Sequence, residues 1–230
     1  MTTPDWWTPN RTINVVVDNP SWIENYALKL VKTWLEAGYD ANLCRSYDEI
    51  VQGGVSFFLG CTSIATAGTI AKSHYNLVVH ESDLPAGSGF APMTWQILEG
   101  RDTIPVCLIE AVDGPVDSGR IIYREEIACE GHELNDELRH AQGEMTVRLC
   151  RRFIDEDVPP LGEVQHGTSS QYPRRRPADS ALDPERTLAE QFDLLRVVDN
   201  QRYPAFFDYR EHRYKISIEK LATPKSEPQE

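Results

Sequence analysis

Positive charge is what this sequence has too little of. Lys and Arg number 23 against 36 Asp and Glu, a formal net charge of −13 over 230 residues. Such a surface repels phosphate backbones, which counts against a nucleic-acid partner. The cysteines are few and odd in number, Cys44, Cys61, Cys107, Cys129 and Cys150, and no two form a Cys-x-x-Cys pair. A disulfide framework and a structural zinc site are therefore not expected, and buried thiols in a reducing compartment are. His132-Glu133 does not continue into His-Glu-x-x-His, so no zinc hydrolase is indicated. No apolar run approaches the roughly 18 residues of a membrane span, and the opening MTTPDWWTPN has no apolar export segment; a soluble, cytoplasmic protein is expected. An internal repeat, a glycine-rich phosphate loop and a dinucleotide fingerprint are also missing.

What is present is an alternation of short apolar runs and helical stripes. Residues 13–17 (INVVV) and 54–60 (GVSFFLG) have the β-branched or aromatic character of strands buried on both faces. Strands are also expected near Ala41–Cys44, Asn76–His80, 104–112 and 120–129. Ser21 and Glu24 read as a capping box for a helix with Ile23, Ala27, Leu30, Val31 and Trp34 on its inner face, ended by Gly38. Shorter helices are expected near Tyr47–Val51, Ile64–Ser73 and Pro92–Glu99. A long helix over about Glu133–Asp155 carries Leu134, Leu138, Ala141, Met145 and Leu149 on one face. The fold class this predicts is α/β, an open, mostly parallel, twisted sheet with helices on both faces. It divides as a core over 1–156, a Pro- and Arg-rich connector over 157–182, a helix and β-hairpin over 183–221, and a disordered tail over 222–230. Asp183-Pro184 reads as the start of that last helix, with Leu188, Phe192 and Leu195 inward. The hairpin is expected from 205–209 and 213–219.

The chemistry concentrates at one strand end. His80 closes a strand and opens the loop HESDLPAGSGFAP, and ligands in open α/β sheets bind outside the carboxyl ends of strands. A later strand runs into AVDGPVDSG. If the two strands are neighbours, Asp117 reaches the His80 ring, where a carboxylate favours the charged imidazole and fixes its tautomer. Both aspartates of that segment also suit ordinary turns.

The stretch NLVVHESDLPAGSGFAPMTWQILEG followed by VDSG resembles the folate-dependent formyltransferases. Their signature, His-x-Ser-x-Leu-Pro with a downstream Gly and Pro and then Asp-x-Gly, reads here as His80, Ser82, Leu84, Pro85, Gly89, Pro92, Asp117 and Gly119. The resemblance covers roughly residues 13–129 and implies a Rossmann-like formyltransferase core. It implies transfer of a formyl group from 10-formyltetrahydrofolate to a primary amine, with His80 as general acid/base and Asp117 tuning it. It further implies a pterin pocket walled by Cys61, Thr62 and Ser63, by Leu84, Pro85 and Phe90, and by Asp113, Gly114 and Val116. In the family a catalytic Asn stands two residues before the His. Here that position is Val78, and Asn76 lies two residues further back. Three arrangements are open: a bulge that brings Asn76 forward as the catalytic amide, another donor such as Ser82, Ser63 or a backbone N–H, or a catalytically altered binding module.

The segment YPRRRPADS and the later LLRVVDNQRYPAFFDY resemble the C-terminal part of sugar N-formyltransferases. That implies a nucleotide-linked amino sugar as acceptor, in a cell-surface glycan or lipopolysaccharide pathway, with Arg174, Arg175, Arg176 and Arg196 for its phosphates. The tRNA-modifying members carry a further OB-like domain, for which the roughly seventy-five residues after the long helix look too few. A formyltetrahydrofolate hydrolase would carry the same catalytic residues. The hairpin and the five tryptophans permit a homodimer without requiring one.

Overall fold

The computed structural model describes residues 12–221; the tail expected over 222–230 lies outside them. The elements in chain order are β1 (Thr12–Val16), α1 (Glu24–Glu36), β2 (Asp40–Cys44), β3 (Gly53–Phe58), α2 (Ala67–Ile70), β4 (Ser73–His80), β5 (Ser88–Gly89), α3 (Pro92–Leu98), β6 (Thr103–Glu110), β7 (Ile121–Ala128), α4 (Asn135–Asp155), β8 (Gln171–Tyr172), α5 (Phe192–Val197), β9 (Ala205–Tyr209) and β10 (His212–Ile216), with short 3-10 turns between some of them. Six strands build the expected open sheet in the order β2-β1-β3-β4-β6-β7. The first four are parallel, whereas β6 runs antiparallel to β4, and β7 antiparallel to β6. Among the described residues no helix is long and apolar enough to cross a membrane.

Strand alternation divides the core into two unequal parts. Ile13, Val15, Val55, Phe57, Leu77, Val106 and Leu108 face the side on which α1, α3 and α4 pack. The opposite face is thinner. There Val16 and Phe58 meet Ile50 and the partly buried Tyr47 and Ala65, and Cys107 and Ile109 meet Leu84 and Ile121. The helix α1 buries the stripe Ala27, Leu30, Val31 and Trp34 and ends as expected, with Gly38 at φ +85 beyond its last turn. Its start differs from the sequence expectation. Ile23 is the capping residue and no side-chain cap forms; Ser21 contributes its carbonyl, which accepts from the Glu24 amide at 3.2 Å. Glu24 instead accepts from the Arg45 guanidinium at 2.5 Å.

The C-terminal part also departs in one place. Asp183-Pro184 does not open a helix. The Asp183 carboxylate accepts from the Glu185 amide at 2.9 Å, closing a turn, and the Gln191 side chain bridges the Asp183 backbone N–H and C=O. Helix begins only at a 3-10 turn over Ala189–Gln191 that runs into α5, so Leu188 is left 66% exposed. Leu182, Leu195, Val198 and Ala205 then form a small second core under the β9–β10 hairpin, with Phe192 packed against it.

Candidate active site

β4 delivers His80 to the rim of the sheet, pairing with β3 as far as Val78 and with β6 as far as His80 opposite Cys107. The ring is 5% exposed. Its Nε2 donates to the Gly87 carbonyl at 2.9 Å, and its Nδ1 lies 3.6 Å from Asp117 Oδ2, an ion-pair contact rather than a hydrogen bond. Both neighbours are acceptors, so a hydrogen on either ring nitrogen faces a partner. The two motif residues are thus brought together, but by a different route from a shared strand edge. Because β6 is antiparallel, its end Glu110 pairs with Leu77, three rungs short of His80. The 111–120 loop folds back to cover that distance. Asp117 sits in it at φ +58, and the Gln165 side chain holds it by donating to the carbonyls of Asp117 and Gly119 at 2.6 and 2.8 Å. Gly119 is sterically required there, since an added Cβ would lie 1.9 Å from the Glu110 carbonyl oxygen.

The same Asp117 oxygen accepts from the Gly89 amide at 2.9 Å, which ties the two motif loops to each other. A strap over 170–172 ties the first loop from outside. Ser170 Oγ accepts from the Gly87 amide at 2.9 Å, and β5 pairs in parallel with β8. Gly89, at φ +101, allows this approach, because a Cβ would sit 2.4 Å from the Tyr172 carbonyl.

Asn76 does not join the site. The register of β4 carries no bulge between Asn76 and His80, so the two are separated by about 13 Å of strand. The Asn76 amide donates to the carbonyls of Ile70 and Ser73 at 2.9 and 3.1 Å, closing the turn that enters β4. Val78, in the place between them, packs between the two small clusters of the thin face. Ser82 is the buried alternative in the motif: its hydroxyl is without a partner, in a residue 1% exposed.

The residues expected to wall a pterin fall into two groups. Cys61 and Ala111 pack on one cluster, which puts the starts of the 60–64 and 111–116 loops on the thin face of the sheet. Their rims carry exposed Ile64, Val112 and Val116, with Asp113 and Gly114 exposed beside them. Burial pushes the Cys61 thiol up to about 12, so it stays a neutral wall residue. Leu84, by contrast, is core, 1% exposed against Cys107, Ile109 and Ile121, and Pro85 follows it half-buried. Thr62 and Phe90 open onto a different cavity, described below.

Asp18 fixes the first of these loops, a role its sequence position did not signal. Its carboxylate accepts from the backbone amides of Thr62 and Ser63, each at 2.8 Å, and from the Asn19 side chain. Burial alone would raise its pKa; the bonds from Asn19, Thr62 and Ser63 reverse that and hold it below the usual 3.8. A depressed carboxyl stabilises the fold above its unfolded pKa, and the contribution is lost as pH falls through the folded value. Asp18→Asn should therefore lower the urea midpoint at pH 7. The gap between variant and wild type should close below pH 3.8. A gap independent of pH would show that the carboxylate charge is not what holds the loop.

On the helix side of the strand end lies a cavity of about 500 Å³. Glu81, Phe90, Met93, Leu138, Gln142 and the arginines 139, 174, 175 and 176 line it. Arg174 stacks over Phe90 at 4.7 Å, and Arg175 has a buried Nε without a partner. Arg196 is not part of this set: it is 2% exposed and locked to Glu133 at 2.6 Å and Asp193 at 3.3 Å. Trp22, Asn135, Arg139, Val198 and Asp199 are shared with an outer recess of about 740 Å³, which adds Arg202 and Lys220 together with the acidic Asp136, Glu137 and Glu219, Lys220 being paired with Glu137. Glu81 was not anticipated from the sequence. It is 8% exposed, its carbonyl accepts from Gln96 at 2.5 Å, and burial raises its carboxyl above the ordinary range against the opposing effects of His80 and a hydrogen bond from Gln142.

No protein-family model matches the sequence. Solved structures do. A methionyl-tRNA formyltransferase from Clostridium thermocellum superposes with a TM-score of 0.74 at 22% identity, over 93% of this chain and 95% of that one. A Mycobacterium tuberculosis protein described as a candidate sugar N-formyltransferase gives 0.72 at 20% identity, over 93% and 99%. HypX from Aquifex aeolicus, in complex with tetrahydrofolic acid, gives 0.70 at 14% identity, over 90% of this chain and 37% of that longer one. The likeness establishes the fold: this chain has the formyltransferase fold over nearly its whole described length.

Proposed function

We propose that this protein transfers the formyl group of 10-formyltetrahydrofolate to the primary amine of a nucleotide-linked amino sugar. The observation that carries the reading is the buried His80–Asp117 pair at the sheet rim, with an apolar-edged loop surface on one side and an arginine-lined cavity on the other. The folate rests against the loops at 60–64 and 111–116. The reaction needs a donor for the oxygen of the formyl group as negative charge grows there, and a charged imidazole backed by a carboxylate meets that need. In the structure Gly87 holds the Nε2 hydrogen, so the developing oxyanion takes over a bond that is already aimed. With Asn76 committed to its own turn and Val78 apolar, the second donor is the Ser82 hydroxyl or a loop amide.

The acceptor side supports an elongated anionic substrate. The inner cavity is of monosaccharide scale, and four arginines stand along its wall. The outer recess continues from it past Trp22 and Arg139, giving room for a diphosphate and a nucleoside. A cell-surface glycan pathway and a location in the cytoplasm go with that substrate.

The test is direct. Purified protein, 10-formyltetrahydrofolate and a panel of UDP- and dTDP-linked 3- and 4-amino sugars should yield tetrahydrofolate and a formylated sugar by mass spectrometry. Release with aminoacyl-tRNA and none with any sugar would reject the acceptor. Formate without an amine would identify a hydrolase. Folate binding without any product would identify a binding module, the reading that Val78 favours.

A further inference from the structure

We propose that Glu81 is a catalytic residue, the group that receives the acceptor's ammonium in the inner cavity and removes its proton before attack on the formyl carbon. The inference rests on the formyl-transfer reading above and places a residue on the amine side of the strand end, opposite His80 and Asp117.

Position is the first argument. His80 and Glu81 are consecutive, and their side chains leave the end of β4 on opposite faces. The imidazole meets Gly87 and Asp117 on the loop side; the carboxyl meets Gln142 of α4 on the helix side. A reacting carbon held over the strand end would have the imidazole toward its oxygen and the carboxyl toward the incoming nitrogen. The Glu81 backbone is pinned for this, since Gln96 donates to its carbonyl at 2.5 Å and to that of Pro92 at 3.2 Å.

Charge is the second. An amine reaches the site largely as ammonium, which cannot attack. The cavity that admits it is cationic, with Arg139 from α4 and Arg174, Arg175 and Arg176 from the segment that follows the strap. Those groups attract phosphate and repel an ammonium. Among the described lining residues only Glu81 and Asp199 are acidic. Asp199 is already committed, accepting from Arg139 at 3.0 Å and from the amides of Gln201 and Arg202 at 2.9 Å each. Glu81 has only the neutral Gln142 as a side-chain partner, with Tyr203 the remaining titratable group of the wall and the His80–Asp117 pair behind the strand end. It is the place in this cavity where a cationic nitrogen is favoured.

The step balances. The ammonium gives one proton to the Glu81 carboxylate, and the freed lone pair forms the C–N bond. As that bond forms the C=O π pair moves to oxygen; when it returns, the bond from the formyl carbon to the donor nitrogen breaks, that nitrogen takes a proton from His80, and the second amine proton replaces it on the ring. Glu81 returns its proton to solvent through the cavity mouth. Burial holds its carboxyl above the usual glutamate range, which makes its carboxylate a stronger base toward an ammonium.

The test compares wild type, Glu81→Gln and Glu81→Asp on the amino sugar that wild type turns over. Glu81→Gln should lower kcat/KM for the amine about a hundredfold or more at pH 7, within the range of general-base catalysis. Its tetrahydrofolate affinity should be unchanged. Its residual rate should climb about tenfold per pH unit until the amine's own pKa, as free amine replaces ammonium, while wild type levels off earlier. Glu81→Asp should keep the wild-type profile at reduced kcat. A Glu81→Gln enzyme slower by one constant factor at all pH values, or with weakened folate binding, would mark a structural role and overturn the proposal. Should the Gln variant not fold, Glu81→Asp decides, and an unchanged kcat overturns it. Wild type that binds folate yet formylates no amine removes the transfer reading, and this proposal with it.

Discussion

His80→Asn should lower formyl transfer about 10²- to 10⁴-fold, the usual contribution of a positioned acid/base, with tetrahydrofolate binding retained. The two outcomes separate because different residues carry them. The imidazole is the group between the Gly87 carbonyl and the Asp117 carboxylate. The loops assigned to the folate are held without it: the 60–64 loop by Asp18, and the 111–120 loop by Gln165 donating to Asp117 and Gly119. An asparagine amide can still donate one hydrogen bond to Gly87 but leaves no ring nitrogen facing Asp117. Asp117 keeps its bond from the Gly89 amide at 2.9 Å in the variant, so the loops stay joined. Turnover at saturating donor and acceptor, with affinity from calorimetry, reads both. A His80→Asn enzyme that stays within a few-fold of wild type would show that the imidazole is a structural cap on the strand end. Asp117→Asn should be milder, because it removes the charge beside the ring and preserves an acceptor for Gly89.

What could be read from the sequence follows from where packing is one-dimensional. β1 and β3 are buried along their length, and their unbroken apolar runs say so. The stripe Leu138, Met145 and Leu149 of α4 is buried as its spacing predicts. The pairing of His80 with Asp117 was legible only through the spacing of two motifs, and its mechanism was not. Strand direction is set by tertiary contacts, so nothing in IPVCLIEAV announces that β6 runs antiparallel and that a loop must double back to His80. Local capping signals failed where a stronger partner intervened: Glu24 is taken by Arg45, and Gln191 captures the backbone of Asp183. Arg196 looked like a phosphate ligand, yet it lies between buried Leu195 and Val197 and serves Glu133. Glu81 was hidden as one letter of a loop. The signal that could have found it is Gln142, a polar residue set among Leu138, Ala141 and Met145 on the apolar stripe of α4. A glutamine on that stripe implies a buried polar partner, and Glu81 is that partner.

Phe153→Ala should be the most destabilising single truncation in the core, by about 3–5 kcal/mol, against a total of about 5–15 kcal/mol for proteins of this kind. The ring is wholly buried near the end of α4. It meets Phe57 of β3 edge-on at 6.3 Å and Tyr75 of β4 at 5.4 Å, and Phe57 in turn stacks on Trp34 of α1 at 5.5 Å. One truncation therefore loosens both long helices from the two central strands, and those strands cannot collapse into the space without losing their own pairing. The urea midpoint should fall with little change in slope, whereas Leu188→Ala, at an exposed position, should stay within about 0.5 kcal/mol of wild type. The consequence reaches the site because Phe153 is on the same stripe as Leu138 and Gln142, with Met145 and Leu149 between. If α4 is seated as described, Phe153→Ala lowers stability but leaves the pH profile of turnover unchanged below the midpoint, since Leu138 still places Gln142 against Glu81. A loss under about 1 kcal/mol would mean that α4 does not pack on β3 and β4 in this register, and the cavity beside Glu81 would then lose its wall.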